Sequence, residues 1–134
     1  VELFRSFIAS AEMHNQAGGL HASALADGQK ILTLVEDIGR HNTLDKIAGR
    51  MLMENITASP RMILTSGRVS SEMIQKAARM QAEMVVSRTS PTSTSVNLAR
   101  EWGITLIGYA RGDRFTIYSH PERVGLTAEG QGGG

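Results

Sequence analysis

The sequence contains no cysteine, and this absence excludes several kinds of chemistry. A chain without cysteine forms no disulfide, builds no thiolate metal site and has no thiol nucleophile. Aromatic residues make up only 4% of the chain, so aliphatic side chains and the seven methionines must fill the core. Methionine adapts to irregular gaps, and we therefore predict a methionine-containing core; the alternative is a methionine-rich interface.

Long apolar runs and a strong charge of one sign are also missing. No stretch approaches the roughly 20 apolar residues of a membrane span, and no signal peptide is recognisable, so we expect a cytoplasmic protein without a membrane partner. The formal net charge is +1, whereas nucleic-acid-binding domains are usually strongly basic, so we expect neither DNA nor RNA as a partner. An anion site in this chain must therefore depend on the local placement of charge.

A chain of 134 residues has the size of one domain with a single core. Apolar residues at helical spacing, and short apolar runs between polar residues, indicate alternating helices and strands. Helices are predicted at 2–13, 40–55, from about 70 and up to 103, and strands at 20–26, 30–36, 62–64, 84–86, 104–109 and 115–118. Asp27-Gly28 predicts a hairpin turn, and Ser90-Pro91 predicts the N-cap and first residue of the last helix.

The order of these elements predicts the fold class. Strands joined by crossover helices must run parallel, and the crossovers should be right-handed. We predict an α/β fold, a three-layer αβα sandwich in which helices cover both faces of a mixed, mostly parallel sheet of about five or six strands. Residues 1–124 form this single domain, and residues 125–134 are expected to be a disordered tail because the chain ends in a glycine-rich run.

Arginine occurs in every loop at one predicted edge of the sheet, the edge beyond the carboxyl ends of the parallel strands, where ligands of such sheets bind. The residues are Arg40, Arg68, Arg88, Arg111 and Arg114. Most of these loops also contain glycine, serine or threonine, and three lead into helix N-termini, which favour anions. Because arginine matches phosphate bidentately, the set predicts a phosphate-bearing, nucleotide-like ligand; the alternative for each single loop is a turn with a solvated or structurally paired arginine.

Polar residues beside Arg40 have more than one interpretation. His41, near a helix start, either donates to a ligand or acts as acid or base, or it bonds to its own loop. Glu36 and Asp37 are adjacent, so in a strand they point to opposite faces. We predict that one of them orients Arg40 or Lys46 and that the other contacts ligand hydroxyls or a base.

Serines in the loop after the predicted strand 62–64 do not form a recognisable nucleophile site. Ser66, Ser70 and Ser71 lack the Gly-x-Ser-x-Gly elbow and a clear base partner, so capping and phosphate contact are their predicted roles. The histidines also lack the spacing of a zinc site, and we expect no metal centre.

Several motifs together resemble the FdhD/NarQ family of formate dehydrogenase accessory proteins. They are Gly18-Gly19-Leu20-His21, Glu36 to Asn42, Ser66 to Met73, Ser87-Arg88 with Pro91-Thr92-Ser93, and Ala110 to Arg114. The resemblance covers residues 18–123 and implies the cofactor-binding domain of a sulfur carrier protein. Such a protein takes sulfur as a persulfide from a cysteine desulfurase. It transfers the sulfur to the molybdenum bis(molybdopterin guanine dinucleotide) cofactor before that cofactor enters formate dehydrogenase.

The resemblance also implies a cytidine-deaminase-like fold and places the cofactor-contacting segment at Tyr109 to Arg114. Guanosine diphosphate is then the expected mimic of the cofactor. The expected cofactor-binding residues are Arg40, His41, Ser66, Gly67, Arg68, Ser87, Arg88, Thr92, Tyr109, Ala110, Arg111, Gly112, Asp113 and Arg114. The zinc-binding cysteines and the glutamate of the deaminases are absent at the corresponding helix starts, so deamination is not expected.

One departure from the family concerns sulfur itself. The family carries sulfur on a Cys-x-x-Cys loop that precedes the Gly-Gly-Leu-His segment, and this chain has no cysteine. Either the chain is shortened and keeps the cofactor-binding domain, or it is a homologue that lost sulfur transfer and kept binding. In both cases we expect no catalytic residue within it.

Two other functions stay open at this point. The alternative function is a non-catalytic nucleotide-binding module that assists formate dehydrogenase assembly, and a third candidate is a metal-free hydrolase that uses His41 or a serine. We also expect a homodimer, because the helices at 2–13 and 44–53 offer apolar surface to a second copy.

Overall fold

The computed structural model describes residues 2–14, 21–56, 60–111 and 114–121. The elements, in chain order, are α1 Glu2–His14, β1 His21–Ala26, β2 Ile31–Asp37, α2 Arg40–Glu54, β3 Met62–Thr65, α3 Ser71–Arg79, β4 Met84–Ser87, α4 Ser93–Trp102, β5 Thr105–Arg111 and β6 Arg114–Ser119. Every predicted helix and strand is present, with ends that differ from the prediction by at most about two residues. The predicted helix stop at Gly18 and Gly19 and the predicted tail at 125–134 lie outside the described residues.

The strands form one six-stranded sheet in the order β2-β1-β3-β4-β5-β6. Strands β3, β4 and β5 pair in parallel, whereas β1 pairs antiparallel with both β2 and β3. Strand β6 is antiparallel to β5. Four strands (β2, β3, β4 and β5) therefore point in one direction, which confirms the mixed, mostly parallel sheet; the direction of β6 was not predicted.

Both faces of the sheet are covered, as the three-layer prediction requires. On one face, strand residues such as Leu25 and Ile63 pack in a cluster with residues of α2, α3 and α4. On the other face, Phe4 and Phe7 of α1 pack against Ala24 and its neighbours on the sheet. The uneven division follows from connectivity, because three successive right-handed crossovers in one direction place their helices on the same face.

The core contains Met62, Met73, Met80 and Met84, all buried, which confirms that methionine fills it. The apolar surface expected on the first helix is not available to a second copy at Phe4 and Phe7, because both rings are buried. The homodimer itself stays a prediction. On α2, by contrast, Leu52 and Met53 are 85% and 89% exposed.

The last helix begins two residues later than the Ser90-Pro91 pair predicted. The N-cap is Thr92, whose hydroxyl oxygen accepts a hydrogen bond from Ser95 N at 3.1 Å. Thr92 N donates to Val69 O at 3.2 Å, so the residue is tied to the preceding loop before the helix starts. The helix ends at Gly103, which adopts a left-handed conformation as predicted for a C-terminal glycine.

The topology defines one edge of the sheet, here called the loop edge, where β2, β3, β4 and β5 end and α2, α3 and α4 begin. Strands β1 and β6 start at this edge because they run in the opposite direction. None of the helices in the described part of the chain combines the length and apolar composition that crossing a bilayer requires.

Candidate functional site

Three of the predicted arginines have described side chains, and all three are exposed at the loop edge. Arg68 follows β3, Arg88 follows β4, and Arg114 begins β6 directly opposite Arg111 at the end of β5. Adjacent strands lie about 4.8 Å apart, so the loops after β3 and β4 and the paired ends of β5 and β6 are side by side. The structure thus brings positive charge from neighbouring strands to one edge.

Several predicted site residues lie wholly or partly outside the described part of the chain. Gly112 and Asp113 are outside the described residues, and so are the side chains of Arg40, His41, Tyr109, Ala110 and Arg111. The backbone still locates these five at the loop edge, because α2 begins at Arg40 and β5 ends at Arg111. Their ligand contacts stay predictions.

The loop after β3 is anchored to the sheet on both sides of its turn. Ser66 N donates to Ala22 O at 2.9 Å, and Ala22 N donates to the Ser66 hydroxyl at 3.0 Å, so Ser66 extends the pairing between β1 and β3. Gly67 N donates to the Thr65 hydroxyl at 3.2 Å. Gly67 is buried and Arg68 is exposed, so the backbone turns outwards at Arg68.

Helix α3 begins after this loop with a side-chain cap. The Ser70 hydroxyl accepts from Met73 N at 3.4 Å, which confirms the predicted capping role of this serine. Glu72 lies in the first turn of the same helix. A carboxylate there stabilises the helix dipole, and it also reduces the attraction of this helix end for an anion. Arg68 is therefore the stronger anion-attracting group in this loop.

The loop after β4 is joined to the loop after β3. The Ser87 hydroxyl donates to Gly67 O at 2.8 Å and accepts from Thr89 N at 3.1 Å. Arg88 N donates to Thr65 O at 3.1 Å. Ser87 is fully buried, and its hydroxyl joins the two loops from inside the protein. Its predicted contact with the cofactor stays a prediction.

Three further hydroxyl groups continue this network and were not predicted as site residues. The Ser23 hydroxyl lies 2.7 Å from the Thr43 hydroxyl and donates to the Thr65 hydroxyl at 3.1 Å. All three side chains are fully buried. The available signal was a small polar residue within or at the end of an apolar strand, which applies to Ser23 and Thr65, whereas Thr43 lies in α2 and had no such signal. A buried hydroxyl needs a partner of this kind.

The loop between β2 and α2 is organised by Asp37. Its carboxylate accepts from Gly39 N at 2.9 Å and from the Asn42 amide at 3.3 Å, and it lies 3.0 Å from Lys46 Nζ. The Gly39 N–H, followed by Lys46 and Asn42, lowers the pKa of Asp37 to about 2. Asp37 is therefore the acidic residue that orients Lys46.

Glu36 and Ile38 flank that carboxylate and have different environments. The Glu36 side chain contributes a buried oxygen, Oε2, that has no hydrogen-bond partner among the described residues. Its predicted contact with ligand hydroxyls or a base stays a prediction. Ile38 is 77% exposed, which places an apolar side chain in the solvent at the loop edge.

The chemistry available at this edge is anion binding. Exposed guanidinium groups bind phosphate, whereas the hydroxyls of Ser66 and Ser87 are engaged with the backbone and are not free to attack a substrate. His120 cannot assist them, because it follows β6 at the opposite edge, where its Nε2 lies 2.8 Å from Arg100 O. Among the described residues there is no cluster of three or more acidic or histidine side chains suited to a metal ion.

The sequence matches the model of the FdhD/NarQ family over residues 1–125. It is 43% identical over 107 residues to the sulfur carrier protein FdhD of Bacillus subtilis (strain 168), covering 80% of this chain and 41% of that protein. It is 40% identical over 115 residues to the sulfur carrier protein FdhD of Staphylococcus aureus (strain MRSA252), covering 86% of this chain and 43% of the relative.

A solved structure shows the same architecture. The crystal structure described as that of a formate dehydrogenase accessory protein from Desulfotalea psychrophila superimposes with a TM-score of 0.80 at 34% identity. The match covers 91% of this chain and 53% of that one. Of the two curated relatives, from Bacillus subtilis and Staphylococcus aureus, the chain spans about two fifths of the length.

Proposed function

The chain belongs to the FdhD/NarQ family, and from this membership we propose that it is the cofactor-binding domain of a sulfur carrier protein. The proposed role lies in the maturation of formate dehydrogenase. Relatives that are 40–43% identical over 107–115 residues are named sulfur carrier proteins, which supports sulfur transfer as the process in which the domain takes part.

The ligand that we propose is molybdenum bis(molybdopterin guanine dinucleotide), with guanosine diphosphate as its simplest fragment. The observation that carries this proposal is the exposure of Arg68, Arg88 and Arg114 at neighbouring loops of one sheet edge. A pyrophosphate needs several positive groups within a short distance, and side-by-side loops supply them. The cofactor is cargo in this proposal, because it is received, modified and passed on.

Sulfur chemistry is assigned to residues beyond this chain. A persulfide forms on a cysteine, and the chain has none. We therefore propose that these residues bind and orient the cofactor while a cysteine elsewhere in the complete protein delivers sulfur. A cysteine desulfurase as donor, formate dehydrogenase as recipient and the cytoplasm as location belong to the same proposal.

A second candidate is a nucleotide-binding assembly module that acts on formate dehydrogenase without carrying sulfur. The absence of cysteine together with the exposed Ile38 at the loop edge favours it, since an apolar side chain beside the arginines suits a protein partner. Joining the chain to an upstream segment with Cys-x-x-Cys separates the two functions. Gain of sulfur transfer supports the carrier, and binding of formate dehydrogenase without such a gain supports the module.

The first experiment on the ligand is a calorimetric titration with guanosine diphosphate, adenosine diphosphate and inorganic pyrophosphate. The cofactor-binding proposal predicts the highest affinity for the guanine nucleotide. Equal affinity for all three compounds would reduce the site to a general phosphate cleft. No heat of binding with any of them would contradict the proposal.

The homodimer is also proposed, now from α2 alone. Leu52 and Met53 are the most exposed large apolar residues in the described part of the chain, and they are adjacent. Sedimentation velocity at several concentrations is expected to show a dimer that the Leu52→Lys, Met53→Lys double substitution converts to a monomer. A monomeric unmodified chain at all concentrations would refute the homodimer and leave the ligand proposal intact.

A further inference from the structure

Both main-chain groups of Gly67 are bonded to buried hydroxyls. Gly67 N donates to the Thr65 hydroxyl at 3.2 Å, and Gly67 O accepts from the Ser87 hydroxyl at 2.8 Å. Thr65 and Ser87 are each fully buried, whereas the next residue, Arg68, is exposed. The backbone from which the arginine projects is therefore held from inside the protein.

The same two residues also hold the neighbouring loop. Thr65 O accepts from Arg88 N at 3.1 Å, and the Ser87 hydroxyl accepts from Thr89 N at 3.1 Å. Thr65 ends β3 and Ser87 ends β4, and each bonds to its own loop and to the loop of its neighbour. We call these two residues and their four hydrogen bonds the loop lock.

The loop lock continues towards the start of α2. The Thr65 hydroxyl accepts from the Ser23 hydroxyl at 3.1 Å, and Ser23 lies 2.7 Å from the hydroxyl of Thr43. Thr43 is in the first turn of α2, two residues after His41. Buried hydroxyls thus connect α2 through β1 to β3, and the Gly67 backbone continues the connection to Ser87 of β4.

We propose that Thr65 and Ser87 are positioning residues, which set the separation of Arg68 and Arg88 before a pyrophosphate-bearing ligand binds. This inference rests on the proposed function. Two flexible loops would have to be ordered when the ligand binds, and that ordering reduces affinity. Buried hydrogen bonds between the loops supply the order in advance, as a rigid supporting layer does for a binding site in general.

A matched pair of serines tests the proposal. Ser119 is also buried, and its hydroxyl donates to Ile104 O at 2.7 Å and accepts from Leu106 N at 3.0 Å, but it lies at the opposite edge of the sheet. Ser87→Ala and Ser119→Ala each remove one bond donated to a carbonyl and one accepted from a backbone N–H, and Ser87→Ala also removes a long 3.5 Å bond between the Ser87 and Thr89 hydroxyls. We expect Ser87→Ala to raise the Kd for guanosine diphosphate and for pyrophosphate about five- to tenfold. We expect Ser119→Ala to leave both Kd values unchanged while lowering the Tm about as much as Ser87→Ala does.

A second pair keeps the test valid if Ser87→Ala does not fold. Thr65→Val removes only the hydroxyl at nearly constant shape, and Thr105→Val does the same to a fully buried threonine whose hydroxyl donates to His120 O at 2.8 Å at the other edge. Weaker binding by the Thr65→Val variant alone supports the loop lock. Equal binding by both variants overturns it.

A double-mutant cycle separates positioning from general stability. If Ser87 acts through the Arg68 loop, the combined Ser87→Ala, Arg68→Ala variant loses less affinity than the two single losses together. Additive losses would overturn the inference, whatever happens to the Tm. Failure of the unmodified chain to bind either compound overturns the proposed function and this inference with it. Normal binding by the unmodified chain and by Ser87→Ala overturns this inference alone.

Discussion

The carboxylate of Asp37 lies 3.0 Å from the ammonium group of Lys46, and this ion pair closes the loop between β2 and α2. The same carboxylate accepts from Gly39 N at 2.9 Å, so it binds the residue that caps α2 and a side chain from the second turn of that helix. The start of α2, with Arg40 and His41, is thereby tied to the end of β2.

Acid should weaken this loop within a narrow pH window. The Gly39 N–H, and then Lys46 and Asn42, lower the pKa of Asp37 from 3.8 to about 2 in the folded protein. A carboxyl whose folded-state pKa is depressed stabilises the protein above its unfolded-state pKa, and this stabilisation is lost as the pH falls towards the folded-state value. The contribution of Asp37 should therefore disappear between pH 3.8 and about pH 2.

Thermal unfolding of Asp37→Asn measures this effect. The variant should have a lower Tm than the unmodified chain at pH 7, and the difference should narrow as the pH is lowered through that window. Glu101→Gln is the control, since it removes one negative charge from an exposed position at the end of α4. A Tm difference for Asp37→Asn that is the same at neutral and acidic pH would contradict the role assigned to the ion pair.

Arg68 should carry part of the ligand affinity at the loop edge. A charged hydrogen bond to phosphate contributes about 1.5–3 kcal/mol, so Arg68→Ala should raise the Kd for guanosine diphosphate roughly 10- to 150-fold. Arg79→Ala removes the same charge from an exposed site in the last turn of α3, away from the loop edge. Equal losses of affinity for both variants in a calorimetric titration would show that only overall charge matters.

The architecture could be predicted because its signals are local. Helical spacing of Phe4 and Phe7, the Asp27-Gly28 turn and the short apolar runs each act over a few residues. In the structure, Asp27 accepts from the backbone N–H groups of Gln29 and Lys30, both at 3.0 Å, and Gly28 has a φ of 93° that glycine adopts without strain. The arginine positions followed once the strand ends were known, because parallel strands end at one edge.

The N-cap of α4 and the role of Ser87 depend on neighbours that are distant in sequence. Ser90 and Thr92 are both good capping residues, and the choice of Thr92 involves its bond to Val69 O, which a local pattern cannot reveal. Serine often binds phosphate, so the sequence favoured a ligand contact for Ser87. Its burial and its bond to Gly67 O depend on the packing of two loops that are distant in sequence. Side-chain partners across the sheet therefore had to come from the structure.

The outer edge of β2 should be protected by two residues of α2. Ala22 bonds to Ser66 on the β3 side, so its register partner Glu36 directs its backbone groups away from β1, to the free edge of the sheet. Lys46 Nζ donates to Glu36 O at 2.8 Å, and Arg50 donates to Leu34 O at 3.4 Å. An edge strand whose backbone groups are covered by a neighbouring helix is hindered from pairing with another chain.

Removing the Lys46 and Arg50 side chains from the edge of β2 should therefore promote association between chains. The Lys46→Met, Arg50→Met double variant should show concentration-dependent light scattering above that of the unmodified chain. Arg79→Met with Arg100→Met is the control, because it removes the same net charge at exposed positions of α3 and α4, away from that edge. If the two double variants associate equally, the loss of charge, and not the uncovered strand, is the cause.

Gly108 should be intolerant of even one methyl group. A Cβ at this position would lie 3.0 Å from Thr89 O and 3.1 Å from a ring carbon of Tyr118, so the loop after β4 would have to move. Overpacking of this kind costs about 1–3 kcal/mol.

Gly49 provides the comparison, because a Cβ there would meet nothing within 4 Å inside α2, where alanine is favoured by about 0.5–1 kcal/mol. Denaturant unfolding should show that Gly108→Ala destabilises the protein and that Gly49→Ala stabilises it. Because the displaced loop carries Arg88, Gly108→Ala should also raise the Kd for guanosine diphosphate, and an unchanged Kd alongside lost stability would separate the loop geometry from binding.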